Sequence, residues 1–136
     1  EDFAPFTQLA DLPLGMTGHV VYGALSQKAA TLSPETIAVI RSEIGFGGLL
    51  MTDDIAMGAL PGPIGARAEA AIAAGCDLVL HCNGEPAEMQ EVARLGAMSA
   101  QAAARAEAAL DARRKAPLVD IAEARAAYDA VARSAA

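Results

Sequence analysis

Apolar and polar positions along the chain alternate between two textures, short apolar runs and longer stretches with helical spacing. Leu14 to Tyr22 reads as a first strand, ending in Gly18-His19-Val20-Val21-Tyr22. After a loop through Gln27 and Lys28, Ser33-Pro34-Glu35 supplies an N-cap and a proline at the first helical position. Ile37, Ile40 and Ile44 then fall on one helical face, and Gly45 is placed to end the helix in the left-handed conformation.

A second unit repeats the sequence of events. Leu49-Leu50-Met51 predicts a short strand buried on both faces, stopping at Thr52-Asp53-Asp54. A Gly/Pro-rich loop from Gly58 to Pro63 leads into an alanine-rich helix over Ile64 to Ala74, closed by Gly75. Asp77-Leu78-Val79-Leu80 predicts a third strand, followed by His81-Cys82-Asn83-Gly84 and a helix beginning near Pro86. Strands alternating with helices predict parallel βαβ units with helices covering the sheet. Pattern alone leaves a barrel wall and a doubly wound sheet both open. From Met98 the texture changes to alanine with scattered Arg and Glu. A long helix is expected to Lys115, a break at Pro117, and a last helix over Ile121 to about Arg133 with Asp120 as its cap. The division expected is therefore βα units over 1–95 and a helical tail over 96–136 packing on the same domain.

Composition narrows the function. Hydrophobic residues make up 54% of the 136, which excludes a disordered chain. Aromatics are 4% and Trp is absent, which argues against a stacking platform for single-stranded nucleic acid. A net charge of −7 without a basic run makes nucleic acid and anionic membrane poor partners. No run approaches the roughly 18 apolar residues of a membrane span, and no export signal is visible. Two cysteines, Cys76 and Cys82, are too few for a disulfide framework; both lie in or beside apolar runs and are expected to be buried free thiols. A closed (β/α)₈ barrel takes about 250 residues, so units of this kind would make only part of one. The chain starts at Glu1 rather than Met, as a processed or trimmed start would.

In parallel α/β folds, functional groups gather where strands end. Three strand ends carry polar groups: His19 with Tyr22, Asp53 with Asp54, and His81 with Asn83. Parallel strands would open His19, Asp53 and His81 onto one face. Adjacent carboxylates after an apolar strand are costly unless solvated, hydrogen-bonded or paired. One reading makes one a nucleophile and its neighbour a positioning group; the other makes one a cap for the next turn and leaves the other in water. His19 and His81 each read more readily as satisfied structural histidines than as ligands. His81, Cys82 and Asp77 match no usual zinc spacing, and no Gly-x-Gly-x-x-Gly or Walker-type loop follows a strand, which weakens a phosphate-binding reading.

The run Gly45-Phe46-Gly47-Gly48-Leu49-Leu50-Met51-Thr52-Asp53-Asp54-Ile55-Ala56-Met57 resembles the nucleophile segment of glycoside hydrolase family 3, most closely its bacterial β-N-acetylglucosaminidase (β-hexosaminidase) branch. Met16-Thr17-Gly18-His19-Val20-Val21-Tyr22 resembles the preceding strand of that branch. Thr31-Leu32-Ser33 is similar to the start of the helix that follows it, and Ala74-Gly75-Cys76-Asp77-Leu78-Val79-Leu80 with Cys82-Asn83 resembles its next strand. The resemblance covers roughly residues 1 to 95. It implies the C-terminal portion of a TIM-type (β/α)₈ barrel, with Asp53 as catalytic nucleophile, and Asp54, His19 and Met57 as neighbours of the substrate site.

The implied reaction is retaining removal of terminal β-linked N-acetylglucosamine from cell-wall muropeptides, in cytoplasmic peptidoglycan recycling, with no metal or organic cofactor. The family's acid/base loop, of Lys-His-Phe-Pro-Gly-His-Gly type, has no counterpart here. The N-terminal half of the barrel is therefore the expected partner, and the isolated chain is expected to turn over little. Alternatives are a family member acting on other β-glycosides and a catalytically incomplete chain that only folds or pairs with another.

Overall fold

The computed structural model describes residues 3–114 and 119–134. Three parallel strands, β1 (Leu14–Met16), β2 (Leu49–Asp54) and β3 (Leu78–Leu80), form one sheet in the order β1-β2-β3. Helices are α1 (Ala4–Thr7), α2 (Pro34–Ala38), α3 (Ile64–Ala74), α4 (Pro86–Ala93), α5 (Ala100–Asp111) and α6 (Ile121–Ser134). Leu14 pairs with Leu49 and Met16 with Met51, while Asp54 pairs with Leu80. All three strands therefore end at the same edge of the sheet.

Local signals place the helices. Ser33 caps α2 by accepting the Thr36 N–H at 3.1 Å. Past Ala38 the helix widens into a π turn over Val39–Glu43, with the Ile44 N–H on the Val39 carbonyl, before Gly45 ends it at φ 81°. Gly75, at φ 113°, ends α3 where expected. Ser99 caps α5 through the Ala102 N–H, and Asp120 Oδ1 accepts the Ala122 and Glu123 N–H groups at the start of α6. Helix α5 stops at Asp111, short of the expected end at Lys115; Lys115 and Pro117 lie outside the described residues.

The strands differ more from expectation. β1 ends at Met16, although Thr17 extends its ladder by giving its N–H to the Met51 carbonyl and accepting that of Asp53. Beyond Gly18 the chain leaves the sheet, and Val21 pairs antiparallel with Ala29 instead. The β-branched pair Val20-Val21 gives a strand signal, but its partner is a local hairpin-like segment, not the sheet. β2 runs three residues further than the apolar run, through Asp54.

Two apolar clusters hold the helices to one sheet face. Leu50 joins Ile37, Ile44, Phe46, Ala74 and Cys76, while Ile55, Leu60, Ile64, Ala68 and Ala29 form a second cluster under the loop after β2. Strand alternation sends Gly15, Leu50 and Thr52 toward the helices. Leu14, Met16, Met51 and Asp53 share the opposite face, where Leu14 and Met16 are about half exposed. Gly15 and Gly48 have no room for a Cβ: each would sit 2.8 Å from the Phe46 ring, and that of Gly48 also 2.6 Å from the Leu12 carbonyl oxygen.

At the start of β2 an ionic cluster ties the elements together. Asp77, with 6% of its side chain exposed, accepts from Arg41 at 2.6 Å, from Arg105 of α5 at 2.8 Å, and from the Leu50 N–H at 2.9 Å. The π turn puts Arg41 where its guanidinium also reaches the Phe46 and Gly48 carbonyls.

Candidate functional site

The edge where the strands end carries Asp53 and Asp54, whose carboxylates do different things. Asp54 Oδ1 accepts two backbone N–H groups, from Ala56 at 3.0 Å and Cys82 at 3.1 Å, and so ties the turn after β2 to the loop after β3. Asp53 Oδ1 accepts the Asp54 N–H at 2.8 Å, which fixes its rotamer. No protein partner of Asp53 Oδ2 is found among the described residues. Asp53 is half-buried on the sheet face away from the helices. Asp54 Oδ2 is likewise without a protein partner among the described residues, so the two differ in what Oδ1 does: that of Asp54 bridges two loops, and that of Asp53 takes only the next residue's N–H.

Thr52 sets this difference. It is fully buried, and its hydroxyl accepts the Leu80 N–H at 2.9 Å, standing in for a ladder carbonyl at the irregularity between Met51 and Asp54. The Ile55 N–H then returns to the Leu80 carbonyl at 3.0 Å.

His19 lies beside the pair without touching either carboxylate. Its Nε2 is 2.9 Å from the Asp54 carbonyl oxygen, which can only accept, so Nε2 carries a proton. Its Nδ1 meets Thr31 Oγ1 at 2.8 Å, and Thr31, fully buried, also contacts Thr17 Oγ1 at 2.8 Å and the Gly18 carbonyl at 3.1 Å. The ring is a strut between the helix side and the end of β2. Met57 gives its N–H to the Asp54 carbonyl at 3.1 Å and is 45% exposed at the rim.

His81 departs from expectation. It lies at the same end of the sheet as Asp53, but its side chain turns into α4, where Nε2 pairs with Glu88 at 2.7 Å and only 6% of the side chain is exposed. Alternation explains this: Val79, two residues earlier, packs in the helix-side cluster. Tyr22 stacks edge-on against Phe3, with ring centroids 5.3 Å apart, away from the carboxylates. Cys76 is buried as expected, and burial pushes its thiol up to about 11. Cys82 is exposed instead, because it falls beyond the last residue of β3, on the loop that Asp54 holds. An apolar hollow of about 280 Å³, lined by Phe3, Leu14, Met16, Tyr22, Ile40 and Phe46, lies beside β1 and does not include Asp53. Among the described residues, no three His, Cys, Asp or Glu side chains converge as a metal site would need, and no helix is long and apolar enough to cross a membrane.

Three residues were not given their supporting roles from sequence. Thr31 carries no local signal beyond its place before the Ser33 cap. Asp77, an acid at the head of an apolar strand, could have been flagged as needing buried partners. Arg67, the one Arg or Lys between Arg41 and Arg94, donates to three carbonyls of the loop after Asp54.

Parallel β/α units, with two adjacent carboxylates at the C-terminal edge of the sheet, define the class as α/β. The chain belongs to glycosyl hydrolase family 3, whose N-terminal domain model matches residues 1–115. A β-hexosaminidase of Alkalilimnicola ehrlichii is 46% identical over 87 residues, covering 60% of this chain and 25% of the relative. One from Bordetella parapertussis is 40% identical over 88 residues, covering 61% and 25%. Among solved structures, a family 3 β-N-acetylglucosaminidase from Paenibacillus superposes with a TM-score of 0.68 at 26% identity, covering 88% of this chain and 27% of that one. CbsA from Thermotoga neapolitana gives 0.70 at 25% identity, covering 85% and 30%. The chain spans about a quarter of the length of the curated relatives it matches.

Proposed function

We propose that these residues are the nucleophile-bearing, C-terminal part of a (β/α)₈ barrel glycosidase that removes terminal β-linked N-acetylglucosamine with retention. The observation that carries this reading is the split between the two carboxylates. Asp54 Oδ1 bridges two loops by taking the Ala56 and Cys82 N–H groups, whereas Asp53 takes only its neighbour's N–H and ties nothing else together, on the sheet face away from the helices. In the proposed reaction Asp53 Oδ2 attacks the anomeric carbon, a donor from outside these residues protonates the leaving oxygen, and water releases the sugar from the glycosyl-enzyme. Asp54 braces the turn, and His19 and Met57 border the site. The proton donor and the remaining sugar contacts would come from the N-terminal half of the barrel. The β-hexosaminidase relatives support an N-acetylated sugar, and we place the reaction in cytoplasmic recycling of cell-wall muropeptides.

The test is made in the full-length protein. A 2-fluoro sugar with a good leaving group should label the peptide holding Asp53. Asp53→Asn should lower kcat by about 10⁴-fold or more, as loss of a covalent nucleophile does. Asp54→Asn, which keeps one acceptor oxygen, should cost far less turnover and about 1 kcal/mol of stability. A label on Asp54, or near-normal turnover by Asp53→Asn, contradicts the assignment. Faster turnover of an aryl glucoside than of an aryl N-acetylglucosaminide would move the substrate to another β-glycoside.

A further inference from the structure

Arg67 stands on the first half of α3 and looks at first like a solvated helix charge. Its guanidinium is committed elsewhere. Nη1 donates to the Ile55 carbonyl at 2.8 Å and the Met57 carbonyl at 3.0 Å, and Nε donates to the Gly62 carbonyl at 2.8 Å. No carboxylate lies within 4 Å of it among the described residues. All three acceptors belong to the Gly/Pro-rich loop that leaves Asp53-Asp54. A loop of that composition has few backbone partners of its own and would ordinarily be mobile. Ile55 and Leu60 anchor it to the core, being 0% and 2% exposed, the Met57 N–H to Asp54 and Leu60 N–H to Met57 bonds close its first turn, and Arg67 joins that turn to Gly62 and to α3.

We propose that Arg67 is a positioning residue for the glycosidase reaction: its planar fork clamps the loop behind Asp53 and so fixes the carboxylate and Met57 without touching the sugar. This rests on the reading of Asp53 as nucleophile. The path is short. Arg67 holds the carbonyl of Ile55, whose N–H is on Leu80, and the carbonyl of Met57, whose N–H is on Asp54. The Asp54 carbonyl also takes the His19 ring, and the Asp54 N–H sets the rotamer of Asp53. Each peptide N–H from Asp53 to Met57 is bonded to the strands or to the two carboxylates, and Arg67 adds donors for the Ile55 and Met57 carbonyls. Only a guanidinium offers parallel donors in a fixed plane; a lysine ammonium reaches one or two of these carbonyls and leaves the rest to water.

The experiment compares Arg67→Ala and Arg67→Lys with wild type in the full-length protein. Hydrogen exchange of the peptide covering residues 54–63 reads the clamp whichever carboxylate attacks. It should accelerate at least about tenfold in Arg67→Ala, a local opening that leaves the core protected. Turnover reads the positioning role: kcat should fall about 10- to 100-fold, as a small misplacement of a reacting group does, with KM changed less than about threefold. Added ethylguanidinium should recover part of kcat in Arg67→Ala, and Arg67→Lys should fall between the two. If Arg67→Ala does not fold, the exchange and kcat of Arg67→Lys decide. Unchanged exchange overturns the clamp. Faster exchange with wild-type kcat, or a loss confined to KM, overturns the positioning role. A fluoro-sugar label on Asp54 in wild type overturns the nucleophile reading instead, while leaving the exchange result standing.

Discussion

Replacing Asp77 by alanine removes three hydrogen-bond acceptances at once, and their separate worth can be read from the geometry. Oδ2 serves Arg41 at 2.6 Å and the Leu50 N–H at 2.9 Å, and Oδ1 serves Arg105 at 2.8 Å. Alanine leaves a buried N–H and two guanidinium groups without their acceptor. Truncating one partner of a buried ion pair costs about 3–5 kcal/mol. The Arg41 and Arg105 side chains remain 18% and 22% exposed, so water recovers part of that and the lower end applies. Asparagine keeps one oxygen, which should stay with Leu50 and Arg41, and presents its NH₂ to Arg105, donor against donor. That change should cost about 1.5–3 kcal/mol, the range for a hydrogen bond to a charged group.

Against a total stability of about 5–15 kcal/mol, both losses are measurable in urea unfolding followed by far-ultraviolet circular dichroism. In the Asp77→Asn background, Arg105→Ala should cost almost nothing further, whereas in wild type it should cost about 1–2 kcal/mol. If Asp77→Asn and Asp77→Ala unfold at the same midpoint, the Leu50 N–H is not what separates them. If Arg105→Ala costs the same in both backgrounds, α5 is not held through Asp77.

The two thiols should behave oppositely: native protein should take one alkyl group, on Cys82, and Cys76 should react only after unfolding. Because burial raises the Cys76 thiol to about 11, the folded chain keeps that proton longer than the unfolded one. Its contribution is therefore full below the unfolded thiol value and declines as pH rises toward 11. The loss is about 2–3 kcal/mol, and a wild-type slope of stability against pH no steeper than that of Cys76→Ala would refute it. Gly48→Ala would place a Cβ 2.6 Å and 2.8 Å from the Leu12 and Pro13 carbonyl oxygens, backbone atoms that cannot swing aside. It should cost about 2–3 kcal/mol in thermal unfolding, while Gly47→Ala, with nothing within 4 Å of its Cβ, stays near wild type.

What could be read along the chain was what is decided locally. Ser33, Gly45, Gly75 and Asp120 mark helix ends because a cap or a left-handed turn is made by the residue itself and its immediate neighbours. The overlong first strand failed for the complementary reason. Val20-Val21 suits extended backbone, but whether it joins the sheet depends on where Ala29 and Thr31 stand, some ten residues on. The partners of Asp77 and Arg67 were not legible for the same reason: Arg41 is 36 residues from Asp77, and Arg67 is 12 from Ile55. His81 shows how placing a residue at the right sheet edge still leaves its direction open. Alternation from Val79 decides that, and it was legible once the helix-side face of β3 was known.

The same alternation accounts for the contrast between two chemically identical neighbours. Counting from Leu50 and Thr52 on the helix side, Asp53 falls on the opposite face, which a nucleophile lining a barrel interior requires. Asp54 would return to the helix side as a buried carboxylate, an expensive placement without donors. The irregularity after Met51 resolves it. With Thr52 Oγ1 taking the Leu80 N–H, the β3 loop is drawn across so that the Cys82 N–H meets Asp54, and the turn supplies the Ala56 N–H. Asp54 Oδ1 thereby takes two N–H groups of the backbone it organises, and its carbonyl is free to receive His19 and the Met57 N–H. A one-residue slip of β2 would exchange the two roles, putting the oriented carboxylate among Ile55 and Leu60 and the bracing one into the open face. The buried Thr52 hydroxyl, the Asp77 contact to Leu50 and the lack of room at Gly48 all oppose that slip, so the register of β2 and the identity of the proposed nucleophile are held by the same set of contacts.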